Sequence, residues 1–278
     1  MSDRALNLSS PWAPHRLKTY VAVMSFASAM FVIMTIGVGA GWIKPTFTAD
    51  VVGNLLFGVP VILVPLVLLW SGPGEDRPRI ERAAEITLIY LPYTAFSQIG
   101  YESVFLIGHP LGWWSSTNSP GWKWLWWQYG LADTRYVSAD HWIFGLEVVS
   151  VLVGLALVGV WTRLLRSDLT IEARIDCLWI AFAGCAVQIS GTIVYFASEA
   201  EARFRDIGQG AFGLWFKVVG EQVPYILLPP VALYATYLQI NFLTRCAAVS
   251  QVERHQQPGP ADAATEVRSV DEPAAAAG

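Results

Sequence analysis

Charge is the scarcest property of this sequence. Asp, Glu, Lys and Arg make up 14% of its 278 residues, against roughly 25% in a soluble domain. That deficit excludes an ordinary water-soluble globule. The net charge is −4, so no basic surface argues for nucleic acid as a partner. Cysteine is nearly as rare: Cys177, Cys185 and Cys246 have no metal-ligand spacing and leave one thiol unpaired. They read as packing residues, because a free thiol behaves as a small buried hydrophobe. A Gly-rich phosphate loop, a Ser-His-Asp signature and a flavin fingerprint are also absent from the sequence. No cofactor and no metal is therefore expected.

What fills the chain is apolar. Hydrophobic residues make up 54% and the mean hydropathy is +0.43. The thirteen tryptophans suit a bilayer, where the indole prefers the headgroup boundary. A helix needs about 20 mostly apolar residues to cross the hydrocarbon. Six segments meet that length, at about 19–43, 51–70, 84–108, 141–165, 175–198 and 213–243. The fold class expected is all-α, a polytopic membrane bundle of six transmembrane helices. Pro60 and Pro65 in the second span, and Pro224, Pro229 and Pro230 in the sixth, predict kinks. Residues 1–18 form a polar arm, and the apolar run after it is too long for the core of a cleaved signal. Residues 19–50 read as an extra N-terminal helix with its loop, 51–245 as the membrane domain, and 246–278 as a disordered tail.

The basic residues divide unevenly between the two sides. The N-terminal arm, the 71–83 loop, the 163–174 region and the tail carry twelve; the opposite side carries five, namely Lys44, Lys123, Arg135, Arg203 and Arg205. The positive-inside rule then puts both termini in the cytoplasm. The long connection 109–140 holds Trp113, Trp114, Trp122, Trp124, Trp126 and Trp127. It reads either as an interfacial belt or as the lid of a site.

Three glutamates fall inside the expected spans: Glu102, Glu147 and Glu221. A carboxylate in hydrocarbon is expensive and normally faces a protein interior where it meets a partner or does work. Gln98 and Glu102 are four apart and share a helical face, as do Gln188 and Thr192. Ser150 follows Glu147 by one turn, and Gln222 and Tyr225 cluster with Glu221. Gln98, Gln188 and Thr192 equally suit interhelical hydrogen bonding, and Glu221 equally suits an ion pair with Lys217. Two acids that meet in a dry pocket repel as like charges, which favours one proton shared by the pair. The protonated member is then an acid and its neighbour a base. Tyr101, Trp142, Tyr195 and Tyr225 supply aromatic faces for a cationic intermediate.

Two sequence blocks carry a family likeness. The first is Trp127-Gln-Tyr-Gly-Leu-Ala-Asp133-Thr-Arg135-Tyr136, followed by Asp140 and Leu146-Glu147-Val-Val-Ser150; the second is Gln188-Ile-Ser-Gly191-Thr-Ile-Val-Tyr195-Phe196-Ala-Ser-Glu199. Through them, residues from about 53 to 245 resemble the emopamil-binding protein family, the EXPERA domain, which includes the 3β-hydroxysteroid Δ8,Δ7-isomerases. The resemblance implies a five-helix membrane bundle with a sterol-sized pocket open to the bilayer. It implies a catalytic pair at Glu102 and Glu147, a hydroxyl at Ser150, and substrate contacts at Gln222 and Tyr225. The implied reaction protonates a ring alkene, passes through a carbocation and removes a neighbouring proton. This chain departs from the family at Gln98, where the isomerases carry a histidine, and at Thr192, where they carry an aspartate. Glu221 is an additional acid, expected to replace part of the histidine's role.

The expected function is therefore an integral-membrane isomerase or cyclase acting on a sterol- or terpenoid-like alkene. A non-catalytic sterol or lipid binder is the alternative. The partners expected are a hydrophobic polycyclic small molecule and membrane lipid, with a homodimer left open. The resemblance implies the endoplasmic reticulum in a eukaryote and the inner membrane in a bacterium.

Overall fold

The structure, a computed structural model, describes residues 6–70, 75, 77–114, 121–138 and 140–256, without the side chains of 57–62, 65, 66, 69 and 253–256. Among these residues the chain is helical and no strand forms; Asp133 and Ile207 make an isolated bridge. The helices are α1 (Pro14–Gly39), α2 (Phe47–Leu69), α3 (Arg79–Ser97), α4 (Ser103–Gly108), α5 (Trp124–Gly130), α6 (His141–Leu164), α7 (Ile171–Glu201) and α8 (Glu221–Gln256). A π turn, Gln98–Glu102, joins α3 to α4, and a π stretch, Phe212–Gly220, leads into α8.

Four stretches are long and apolar enough to cross a membrane: Pro14–Gly39, His141–Leu164, Ile171–Glu201 and Phe212–Val252. Among the described residues four spans thus stand on length and composition, and the count of six is not confirmed. The expected third span is divided into α3, the π turn and α4, and α3 buries Glu81, Glu85, Thr87 and Thr94. The expected second span coincides with α2, but the side chains of Pro60 and Pro65 lie outside the described residues. The helix of α8 runs through Pro224, Pro229 and Pro230 and continues to Gln256, beyond the boundary expected at 246. Residues 257–278 lie outside the described residues.

α3, α6, α7 and α8 form a closed ring, since α3 and α7 each pack against both α6 and α8. One half of the ring is filled by Leu88, Leu91, Leu157, Leu178, Cys185, Leu228 and Ala232. Cys177 and Cys185 are buried there as expected packing residues. Pro92 inside α3 has no N–H for the carbonyl of Leu88; Trp161 Nε1 on α6 donates to that carbonyl instead, at 3.1 Å. The other half is roofed by aromatic residues, including Phe105, Trp124, Trp126, Tyr129, Tyr136 and Tyr195. Much of the Trp-rich connection is thus packed inward. Gly53 on α2 admits one of these rings: a Cβ there would lie 2.6 Å from Trp124.

At the end of the bundle that carries the N-terminal arm, an ion cluster fastens α1 to its neighbours. Arg16 Nε donates to Glu85 at 2.7 Å, and its NH2 donates to the Val67 carbonyl at 2.6 Å. Arg77 NH1 meets the other Glu85 oxygen at 2.5 Å, and Glu75 bridges both arginines.

Candidate functional site

Between the apolar half of the ring and its aromatic roof lies a cavity of about 90 Å³. A cavity of about 150 Å³ is enough for benzene, so this one is smaller than a single ring requires. The π turn after α3 and the helices α6, α7 and α8 supply its wall. Gln98 and Glu102 come from the π turn, Glu147 and Ser150 from α6, Gln188, Thr192 and Tyr195 from α7, and Gln222 and Tyr225 from α8. Apolar residues complete it, and two of them, Val149 and Val187, are 45% and 40% exposed on the outer face of the ring.

Local structure aims the two central acids. Asp140 caps α6, accepting from the N–H groups of Trp142 at 2.8 Å and Ile143 at 3.1 Å. The cap fixes where α6 starts and so which turn carries Glu147. Glu102 ends the π turn, a rare geometry that often marks functional sites in helices. The two carboxyls meet within hydrogen-bonding reach. Glu147 also accepts from Tyr136 Oη at 2.5 Å, and Ser150 lies one turn further along the same wall. Glu102 Oε2 is buried with no hydrogen-bond partner. Among the described residues neither acid has an ion-pair partner.

A charged network stands behind the wall. Tyr195 Oη donates to Asp133 Oδ2 at 2.6 Å, and Arg135 binds both Asp133 oxygens, at 3.0 and 2.7 Å. Arg135 Nε also forms an ion pair with Glu199 at 2.7 Å. Burial works against the Arg135 charge, but Asp133 outweighs it and the guanidinium is held above its ordinary value. Gln222 Nε2 donates to Tyr129 Oη at 3.3 Å, and Tyr129 lies 3.3 Å from the Tyr195 hydroxyl. The network ties the loop before α6 to the end of α7 and sets Tyr136 and Tyr195 against the cavity.

Most of the residues expected at the site reach this wall; three do not. Trp142 is 42% exposed on the outside of α6. Tyr101 stacks on Trp126, with ring centroids 5.4 Å apart. Glu221 lies off the wall, one residue from Gln222, and its Oε1 has no hydrogen-bond partner. Nor does Glu221 pair with Lys217, whose Nζ instead meets Asp50 Oδ2 at 2.6 Å and the Gln128 carbonyl at 2.8 Å. Tyr136 is the polar wall residue that was not anticipated. Its signal was present, because it closes the run Asp133-Thr-Arg135-Tyr136, which carries two of the four charges in the 109–140 connection.

Among the described residues no group of three or more His, Cys, Asp or Glu is placed to hold a metal ion. No protein-family model, curated protein or solved structure matches the chain.

Proposed function

We propose that this chain is an integral-membrane isomerase or cyclase that moves protons on a cyclic alkene, in the manner of the EXPERA isomerases its sequence resembles. One observation carries the reading: two glutamates, one on the π turn and one on α6, meet at the wall of a small cavity, and among the described residues no cation pairs with them. Like charges at that distance favour one proton on the pair. Glu147 has the partner of an anion, since Tyr136 donates to it. Glu102 has an oxygen with no hydrogen-bond partner. Glu102 is accordingly the acid that protonates the alkene, and Glu147 the base that removes the neighbouring proton. Transfer between the touching carboxyls restores the starting state without a cofactor.

The alkene edge of the substrate enters the cavity, and the rest of the molecule lies in the opening beside Val149 and Val187. In this reading α2 and the α3–α4 segment also cross the bilayer, giving six crossings with both termini on the cytoplasmic side. The test is incubation of the purified protein with cyclic alkenes in deuterated water. Deuterium on product carbon, lost in Glu102→Gln and Glu147→Gln, is the expected result. Binding without deuterium in any alkene contradicts the reading and favours a lipid-binding role.

A further inference from the structure

The acid pair in the cavity has no ready source of protons. Glu147 is buried, and so is Glu102 Oε2. The opening beside Val149 and Val187 leads to lipid, where no water is available for exchange. Towards the N-terminal arm, α3 carries Thr87, Tyr90, Thr94 and Ser97, each already hydrogen-bonded to Gln239, Gln188 or Tyr225. No carboxyl or ammonium lies between Glu85 and Glu102 in the sequence of that segment. Deuterium uptake from the solvent therefore needs another route.

The opposite end of the bundle supplies ionisable groups. Asp50 stands in the first turn of α2, after the segment that carries the exposed Trp42. Its side chain keeps 8% exposure, whereas that of Lys217 keeps none. Lys217 Nζ donates to Asp50 Oδ2 at 2.6 Å and to the Gln128 carbonyl at 2.8 Å. Asn54 Nδ2 holds the other Asp50 oxygen at 2.7 Å. An ammonium has three N–H donors, so one remains for a further acceptor. Glu221, four residues after Lys217, has a buried Oε1 with no hydrogen-bond partner. The charges that act on it are those of Lys217 and Asp50. The Tyr101 hydroxyl in turn stands within electrostatic reach of Glu221 and of both cavity acids. A buried acid left without a partner is costly, and chains of ionisable residues inside a membrane commonly carry protons.

We propose that Asp50, Lys217, Glu221 and Tyr101 form a proton path that joins the Glu102–Glu147 pair to water at the end of the bundle opposite the N-terminal arm. The Tyr101 hydroxyl passes its proton to the pair as its oxygen takes one from the Glu221 carboxyl. The Lys217 ammonium then reprotonates Glu221, and water that reaches Asp50 reprotonates Lys217. One proton enters the pair, and every group on the path ends as it began. Run in reverse, the path removes one, so the pair exchanges with the solvent. Asp50 holds the ammonium in place and Glu221 is the carrier. The path rests on the reading of the pair as acids that hold a proton.

Infrared spectroscopy of the full chain in lipid nanodiscs tests it without a substrate. The protein is moved from H2O to D2O, and the C=O stretch of protonated carboxyls is followed as deuteration lowers its frequency. The part of the band that is lost when Glu102→Gln and Glu147→Gln are combined belongs to the pair. Exchange of that part is expected to slow by about tenfold or more in Glu221→Gln, since a positioned group speeds proton transfer at least that much. Glu221→Asp, which keeps a carboxyl, is expected to restore most of the rate. Asp50→Asn combined with Lys217→Met removes both charges of the ion pair at once; it is expected to slow the same exchange and serves if Glu221→Gln does not fold. Exchange at the wild-type rate in either folded variant, or slowing that is as large in Glu221→Asp as in Glu221→Gln, overturns the path alone. Absence of any band from the pair contradicts the reading of the pair and takes the path with it.

Discussion

Two groups of buried acids in this molecule follow opposite rules. At the end that carries the N-terminal arm, Glu85 is 2% exposed and each of its oxygens meets a guanidinium, Arg16 at 2.7 Å and Arg77 at 2.5 Å. In the cavity, Glu147 is 4% exposed and its partners are another acid and the Tyr136 hydroxyl. The first arrangement neutralises charge and fastens α1 against α2 and α3. The second leaves charge unneutralised at the centre of the ring, where it serves no purpose in holding helices together. An acid kept without a cation in a dry site is costly, and proton transfer is the use that its surroundings support.

The largest effects break this comparison at the chemistry. Glu147→Gln and Glu102→Gln are each expected to lower turnover about 100- to 10,000-fold, measured as deuterium incorporation, with little change in thermal stability. A loss of folding in these variants equal to that of Glu85→Gln erases the distinction. Glu85→Gln leaves Arg16 and Arg77 with only the more distant Glu75 between them and is expected to cost about 3–5 kcal/mol, seen as a lower midpoint of thermal unfolding in nanodiscs. Turnover per folded molecule stays near the wild-type value.

Smaller effects sharpen the contrast. Tyr136→Phe removes the donor at 2.5 Å from Glu147, and loss of a hydrogen bond to a charged group is worth about 1.5–3 kcal/mol. A drop in turnover of roughly tenfold or more is expected, with the cavity otherwise intact. The smallest concerns pH. Burial pushes the Glu75 carboxyl up, but Arg16, His15 and Arg77 outweigh it and hold it below the ordinary carboxylate range. A group lowered in this way stabilises the fold above its ordinary value, and that stability is lost as pH falls through the lowered one. Thermal unfolding between pH 6 and pH 3 is expected to show this loss, and Glu75→Gln to flatten it by up to about 1 kcal/mol.

The site was more legible in the sequence than the number of spans. Gln98 with Glu102, and Gln188 with Thr192, sit at helical spacing, and each pair does reach one wall. Spacing works there because these residues point into a ring closed on all sides. Trp142 shows how spacing can also exclude a residue: five positions before Glu147 on a regular helix is about 140° around the axis, which turns it outward. The partner of Lys217 was not readable. A lysine has a long reach, and it settled on Asp50, 167 residues away in sequence, instead of Glu221 four residues on. Six apolar segments were visible by length, yet α3 carries a buried acid, Glu85, that pairs with the arm at one end and a threonine, Thr87, that accepts from Gln239 of α8 further along. Composition alone therefore cannot establish it as a span.

The central claim is that one proton is shared by the Glu102–Glu147 pair inside a lipid-facing chamber, whereas Glu85 is held between two arginines. Dicyclohexylcarbodiimide, an apolar reagent, adds to protonated carboxyls and leaves a stable N-acylurea. Treatment of the protein in nanodiscs at pH 7, followed by peptide mass spectrometry, is expected to place the adduct on Glu102 or Glu147 and to leave Glu85 unmodified. An unmodified cavity pair, or labelling of Glu85 to the same extent, contradicts the account.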